Sequence, residues 1–280
     1  MNIRDLVDRF RDPPPVVPVV RLDGVIAPRQ WRGALSLASH AAALDRAFKT
    51  KRAAAVAVVI NSPGGSPVQS SLLYRRIRQL ADEKKLPVYA FAEDVAASGG
   101  YWLALAGDEV YAEETSLLGS IGVVSSGFGF TRLIDRIGID RRLHTAGENK
   151  SLLDPFLPEQ ERDVERLTAL QQDIHATFKE HVRRRRAGKI DAADETLFSG
   201  EVMTGRMALA KGLIDGIGDL RTVMRARFGA RVRLVPVASE RRRRWFLPRP
   251  ARGVEGGQLG FVADLVDWLE ARLLWARFGL

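Results

Sequence analysis

Residues 53–65 read AAAVAVVINSPGG: an unbroken apolar run, then Asn61, Ser62, Pro63, Gly64 and Gly65. A strand with one wet face alternates apolar and polar residues. A run with no polar member suits a strand buried on both faces, as in a parallel sheet covered by helices. The glycines then mark a tight turn at its carboxyl end. Residues 87–92 repeat the pattern and lead through EDVAASGGYW, with Ser98, Gly99 and Gly100 between an apolar strand and an apolar helix.

Working outward, residues 16–27 are β-branched and strand-like, with Asp23-Gly24 as a turn or bulge. Helical spacing runs over 32–49, 69–83 and 99–106. Strands are expected at 109–112, 122–125 and 140–145, with a helix at 130–137. A long helix is expected over 158–186, opened by Pro158-Glu159. Helices at 206–213 and 220–228 and a strand at 231–237 follow. Strand and helix alternate with short connections, which argues for an α/β fold with a largely parallel sheet.

With 280 residues the chain has room for one large domain or two smaller ones. There is no cysteine, so disulfides and thiolate metal sites are excluded. The net charge of +9 comes mostly from arginine, including the runs 183–186 and 241–244. No recognition motif or interleaved aromatic residues accompany them, so no nucleic-acid partner is expected. Solvated helix ends explain such runs; anionic lipid is the alternative for Arg241 to Arg244, which Trp245 and Phe246 follow directly.

The amino terminus lacks the apolar core of a signal peptide, and no run of about 20 apolar residues is present. A cytoplasmic location is expected, with peripheral membrane contact through Arg241 to Phe246 and Leu259 to Phe278. The expected organisation is an extension at 1–15, a main folded domain at 16–237, a basic linker at 238–258 and an amphipathic helix at 259–280. That helix would dock on the body, on a second subunit or in a membrane interface.

Ligands of α/β folds sit beyond the carboxyl ends of strands, where both glycine turns lie. The first has neither dinucleotide-loop nor P-loop spacing. The second puts the Ser98 hydroxyl at a helix amino terminus, where dipole and free N–H groups favour negative charge. Such a serine commonly serves as an N-cap, but a cap needs no glycine at the next two positions. An acyl-transfer site does need open backbone there.

A nucleophilic serine needs a base. Among His40, His144, His175 and His181, only His144 stands near an expected strand end; the others read as surface or helix-packing residues. Lys150, in the loop Gly147-Glu148-Asn149-Lys150-Ser151, can act as base if burial lowers its pKa. Taken alone, a loop lysine reads as a solvated charge.

Three blocks, INSPGG at 60–65, AASGGY at 96–101 and GSIGV at 119–123, resemble the signal peptide peptidase A family of serine–lysine peptidases. Lys150 lies 52 residues after Ser98, where that family carries its base. The resemblance runs from about Val16 to Phe228. It implies the ClpP/crotonase-like superhelix of β-β-α units, with Ser98 as nucleophile, Lys150 as general base and Ser120 orienting the lysine. It also implies an oxyanion hole from the Gly65 and Gly99 N–H groups, with Gly100 leaving room for substrate. No metal or cofactor is implied. The implied substrate is a short or unfolded apolar peptide, cleaved signal peptides included, and the implied assembly a homo-oligomeric ring.

ClpP shares the Asn-Ser-Pro-Gly-Gly and Ala-Ala-Ser blocks, but its histidine has no counterpart in Gly119 to Ser125. A crotonase-type acyl-CoA enzyme, or an inactive membrane-associated scaffold of the same fold, are the other readings.

Overall fold

A computed structural model describes residues 13–28, 34–147, 149–238, 269 and 272–279. The arginine run 241–244, Trp245, Phe246 and most of the expected linker and carboxyl-terminal helix lie outside the described residues, as do residues 1–12.

Three long strands form the centre: β1 (Val16–Asp23), β2 (Val56–Ser62) and β3 (Val88–Ala97). They pair in parallel, and β8 (Arg233–Pro236) adds in parallel beyond β1. Beyond β3 the sheet forks. Residues 89–92 of β3 pair with β4 (Glu109–Ala112), and residues 95–97 pair with β5 (Leu117–Gly119). Short β6 (Val202–Thr204) closes the β5 edge antiparallel, and β7 (Gly216–Ile217) extends β4.

The unbroken apolar run of β2 has the cause inferred from it. Val56, Val58 and Ile60 point into the larger core, while Ala57 and Val59 point into a second core on the other face. Successive side chains of a strand alternate faces, so both faces of β2 are covered. α1 (Leu37–Phe48), α2 (Pro67–Lys84) and α3 (Gly99–Ala104) supply the larger core, and α7 (Leu220–Phe228) covers the smaller through Met224, Val223 and Leu220. Ser36 opens α1 with a capping box shared with Ser39, so the helix begins five residues later than its alanine-rich spacing predicts. Ser66 caps α2, with Pro67 in its first turn.

α4 (Thr131–Arg136) is a short helix on an excursion, and the long α5 (Glu161–Arg185) returns across the helical layer. α6 (Gly205–Ala210) follows β6. Two expected strands are absent. Residues 122–125 and 140–145 form no ladder and are largely exposed; the strand in that region is the three-residue β5, defined by its neighbours β3 and β6.

The run Arg183 to Arg186 is not a solvated helix end. Arg186 is 2% exposed and donates to the Gly212 carbonyl at 2.7 Å and to Asp215 at 2.7 Å. Arg185 donates to the Leu105 and Gly107 carbonyls, both at 2.8 Å, just past the end of α3. Arg183 pairs with Glu195 and lies over the Phe198 ring. Three of the four arginines therefore fasten α5 to the body. Asp215 is held below the ordinary carboxylate range: burial acts against this, and hydrogen bonds from Arg186 and Lys189 outweigh it.

Candidate active site

β3 ends at Ala97, and α3 begins at Gly99, leaving Ser98 as the whole connection. Its backbone has φ 52° and ψ −120°, in a region that L residues with a side chain avoid at a cost of about 1–3 kcal/mol. Although Ser98 is the helix N-cap residue, its side chain makes no capping hydrogen bond. The capping reading is thereby removed: the hydroxyl is held at the sharp strand-to-helix turn and is free for other chemistry.

The two glycine turns meet around that hydroxyl. A Cβ added to Gly64, at φ +102°, would stand 2.8 Å from the Ser98 Cβ and 2.9 Å from the Gly99 nitrogen. A Cβ on Gly99 would stand 3.4 Å from the Gly65 nitrogen and 2.5 Å from the Ser70 hydroxyl. Gly65, at φ +134°, is sandwiched between two bonds, from Ile26 N–H to the Gly64 carbonyl and from Ser66 N–H to the Ile26 carbonyl. Those bonds leave the Gly65 N–H itself uncommitted, and neither it nor the Gly99 N–H has an acceptor among the described residues. Two such N–H groups therefore lie beside a strained serine.

Gly100 has a different task from the one expected. A Cβ there would meet the Ser62 carbonyl at 2.5 Å, so this glycine lets α3 press on the end of β2 and does not make room for substrate.

Register brings the second serine in. Val95, Ala96 and Ala97 face Leu117, Leu118 and Gly119 in parallel. Ser98 and Ser120 each follow the last paired residue of their strand. The Ser98 N–H donates to the Gly119 carbonyl at 2.8 Å, which holds the two strand ends together. Ser120 has φ 50°, is half-buried, and its hydroxyl has no hydrogen-bond partner among the described residues.

Lys150 is not brought to this pair. It is exposed, in a turn closed by its N–H to the Gly147 carbonyl at 3.3 Å, and no contact among the described residues joins it to Ser98 or Ser120. Its neighbourhood has its own order: Arg141 donates to Asp154 at 2.8 Å, holding that carboxyl below its ordinary range, and lies over the Phe156 ring. The excursion nevertheless exposes apolar side chains in number, among them Val124, Phe128, Leu133, Ile137 and Ile139.

The histidines sort themselves differently. His144, the one candidate base among them by position, is exposed on the same excursion. His40 is buried beside the Ser39 hydroxyl at 2.8 Å. His181 stacks on Trp102 of α3 with ring centroids 4.6 Å apart. His175 on α5 is half-buried with Nε2 3.0 Å from the Ile121 carbonyl, a contact that helical spacing does not announce. Among the described residues, no cluster of acidic or histidine side chains is arranged to hold a metal, and no helix is long and apolar enough to cross a membrane.

Comparison with known proteins matches the same elements. The model of peptidase family S49 matches residues 80–230, from the end of α2 through Ser98, Ser120 and Lys150 to the end of α7. A putative protease of Synechocystis, slr0021, is 32% identical over 69% of this chain and 69% of its own length. The chloroplastic serine protease SPPA of Arabidopsis thaliana is 36% identical over 61% of this chain. A protein of Brucella abortus named Na(+)/H(+) antiporter NhaA is 50% identical over 97% of this chain. The chain spans only 38% of that relative's length, so its name describes a longer protein. The fold is that of a solved membrane-bound stomatin-specific protease with a substrate peptide, at TM-score 0.51 and 16% identity over 81% of this chain and 94% of that one. On the family match and the Synechocystis relative together, the chain belongs to peptidase family S49.

Proposed function

We propose that the chain is a serine-type peptidase in which Ser98 is the nucleophile, Lys150 the general base and Ser120 the residue that orients the lysine amine. One observation carries the reading: Ser98 is held at φ 52° with its hydroxyl unspent, between the uncommitted N–H groups of Gly65 and Gly99. Strain at a single serine, with open backbone on both sides, is what acyl transfer uses and a capping serine does not need.

In the proposed cycle Ser98 Oγ attacks the scissile carbonyl while its proton passes to the neutral Lys150 amine. The oxyanion is held by Gly65 and Gly99. The lysine then protonates the leaving amine, and a water, activated by the same lysine, hydrolyses the acyl-enzyme. A lysine does this work only when desolvation favours its neutral form. Lys150 stands in solvent in the single chain, and the excursion that bears it exposes Phe128 and Ile137. We therefore assign the covering of Lys150 to a second copy of the chain in a homo-oligomer.

The substrate is a short or unfolded apolar peptide, cleaved signal peptides being one natural source. Peripheral membrane contact through Arg241 to Phe246 and Leu259 to Phe278 is part of the same reading. The exposure of Leu269 and Leu273, one helical turn apart, supports it. Co-sedimentation with anionic vesicles, with and without residues 241–280, tests it; equal binding by both forms would remove it. The activity itself is tested with a fluorogenic apolar peptide and unfolded casein. Wild type is expected to hydrolyse both, Ser98→Ala and Lys150→Ala neither. Full turnover by Ser98→Ala would overturn the assignment.

A further inference from the structure

The turn that carries Ser120 is an unfavourable piece of backbone. Gly119 and Ser120 both have positive φ, 85° and 50°. Such conformations persist only where the surroundings over-determine them. Backbone bonds do part of this: the Gly119 carbonyl accepts from Ser98 N–H, Ser120 N–H donates to the Glu201 carbonyl at 2.8 Å, and Gly122 N–H donates to the Ser120 carbonyl at 3.0 Å. Among the described residues one side chain joins them, that of His175, whose Nε2 lies 3.0 Å from the Ile121 carbonyl.

A carbonyl only accepts, so His175 presents an N–H at Nε2, which the Nε2-protonated neutral tautomer and the imidazolium both provide. His175 also stands in a particular place on α5. Phe178 and His181, three and six residues on, pack against Trp102 of α3 with ring centroids at 4.9 and 4.6 Å. Trp102 donates its backbone N–H to the Ser98 carbonyl at 3.0 Å. One stretch of α5 thus grips both the helix that follows Ser98 and the turn that contains Ser120.

We propose that His175 is a positioning residue for the Ser98–Lys150 reaction: by holding the Ile121 carbonyl it fixes the Ser120 hydroxyl where the lysine amine must be met. The proposal rests on the peptidase reading above. It makes His175 act through Ser120, without touching substrate.

The test is a double-mutant cycle with kinetics on the fluorogenic peptide, using His175→Ala, His175→Gln and Ser120→Ala. His175→Ala is expected to lower kcat by about tenfold to a hundredfold with KM changed less than about twofold, since the lost interaction serves the base and not the binding of substrate. His175→Gln keeps an N–H donor and is expected to recover most of kcat. In the Ser120→Ala background, His175→Ala is expected to cost less than about twofold, because coupled residues are not additive. An equal loss in both backgrounds, or a kcat unmoved by His175→Ala, would overturn the proposal. Should His175→Ala fail to fold, His175→Gln against His175→Leu gives the same comparison. Absence of wild-type turnover would instead sink the peptidase reading, so the two failures are distinguishable.

Discussion

Lowering the pH should loosen the contact between α3 and α5 through one residue. His181 is 3% exposed, stacked on Trp102 and edge-on to Tyr74 at 4.4 Å, with Arg184 donating to its Nδ1 at 3.2 Å. Burial first, and the Arg184 charge second, push its pKa down from 6.5 to about 4. The unfolded chain takes up a proton near pH 6.5 that the folded chain refuses until about pH 4. Stability from this residue is therefore complete above pH 6.5 and is lost as pH falls toward 4. With about 1.4 kcal/mol for each pH unit of difference, the loss between pH 7.5 and 4.5 comes to about 2.5 kcal/mol. Urea unfolding at both pH values, for wild type and His181→Phe, measures it. The variant keeps a ring on Trp102, and every carboxylate contribution is common to both proteins. The wild type should lose about 2.5 kcal/mol more than the variant between the two conditions. Identical losses would refute the reasoning.

Three further outcomes follow from the geometry. Gly99→Ala would drive a Cβ to 2.5 Å from the Ser70 hydroxyl and 3.4 Å from the Gly65 nitrogen; kcat should fall by about a hundredfold, the worth of a displaced oxyanion donor, and partly recover in Gly99→Ala/Ser70→Ala. Arg186→Met leaves Asp215 buried with only Lys189 as ionic partner, and urea unfolding should show a loss of about 3–5 kcal/mol. Phe128→Asp, at a side chain 76% exposed, should reduce the assembled mass in light scattering and lower peptidase activity together. Unchanged mass would remove Phe128 from the proposed subunit contact.

The sheet was legible because burial on both faces leaves a mark in sequence: 53–60 and 87–92 are apolar without interruption, and both become central strands. The turn that carries Ser98 was legible for a related reason, since two glycines after a strand have few purposes. What stayed hidden is what long-range contact decides. β5 is three residues with no periodicity of its own, and its register to β3, which brings Ser120 beside Ser98, exists only in the folded sheet. The arginines of 183–186 look like a solvated charge run until the carbonyls past α3 and the Asp215 carboxylate are set against them. Gly100 was assigned to substrate because the Ser62 carbonyl above it cannot be inferred from neighbours in sequence. His175 gave no signal, its partner being a backbone carbonyl 54 residues away. Lys150 is named by motif spacing alone: in the single chain it is exposed and apart from Ser98 and Ser120.

The central claim is that the unspent hydroxyl of Ser98 is the nucleophile, and a covalent adduct tests it most directly. Wild type treated with a fluorophosphonate at pH 8, digested and mapped by mass spectrometry, should carry one adduct per chain, on the peptide containing Ser98. Labelling should disappear in Ser98→Ala and slow by about a hundredfold or more in Lys150→Ala, the worth of a general base. An adduct that persists in Ser98→Ala, or that maps to another residue in wild type, would contradict the account.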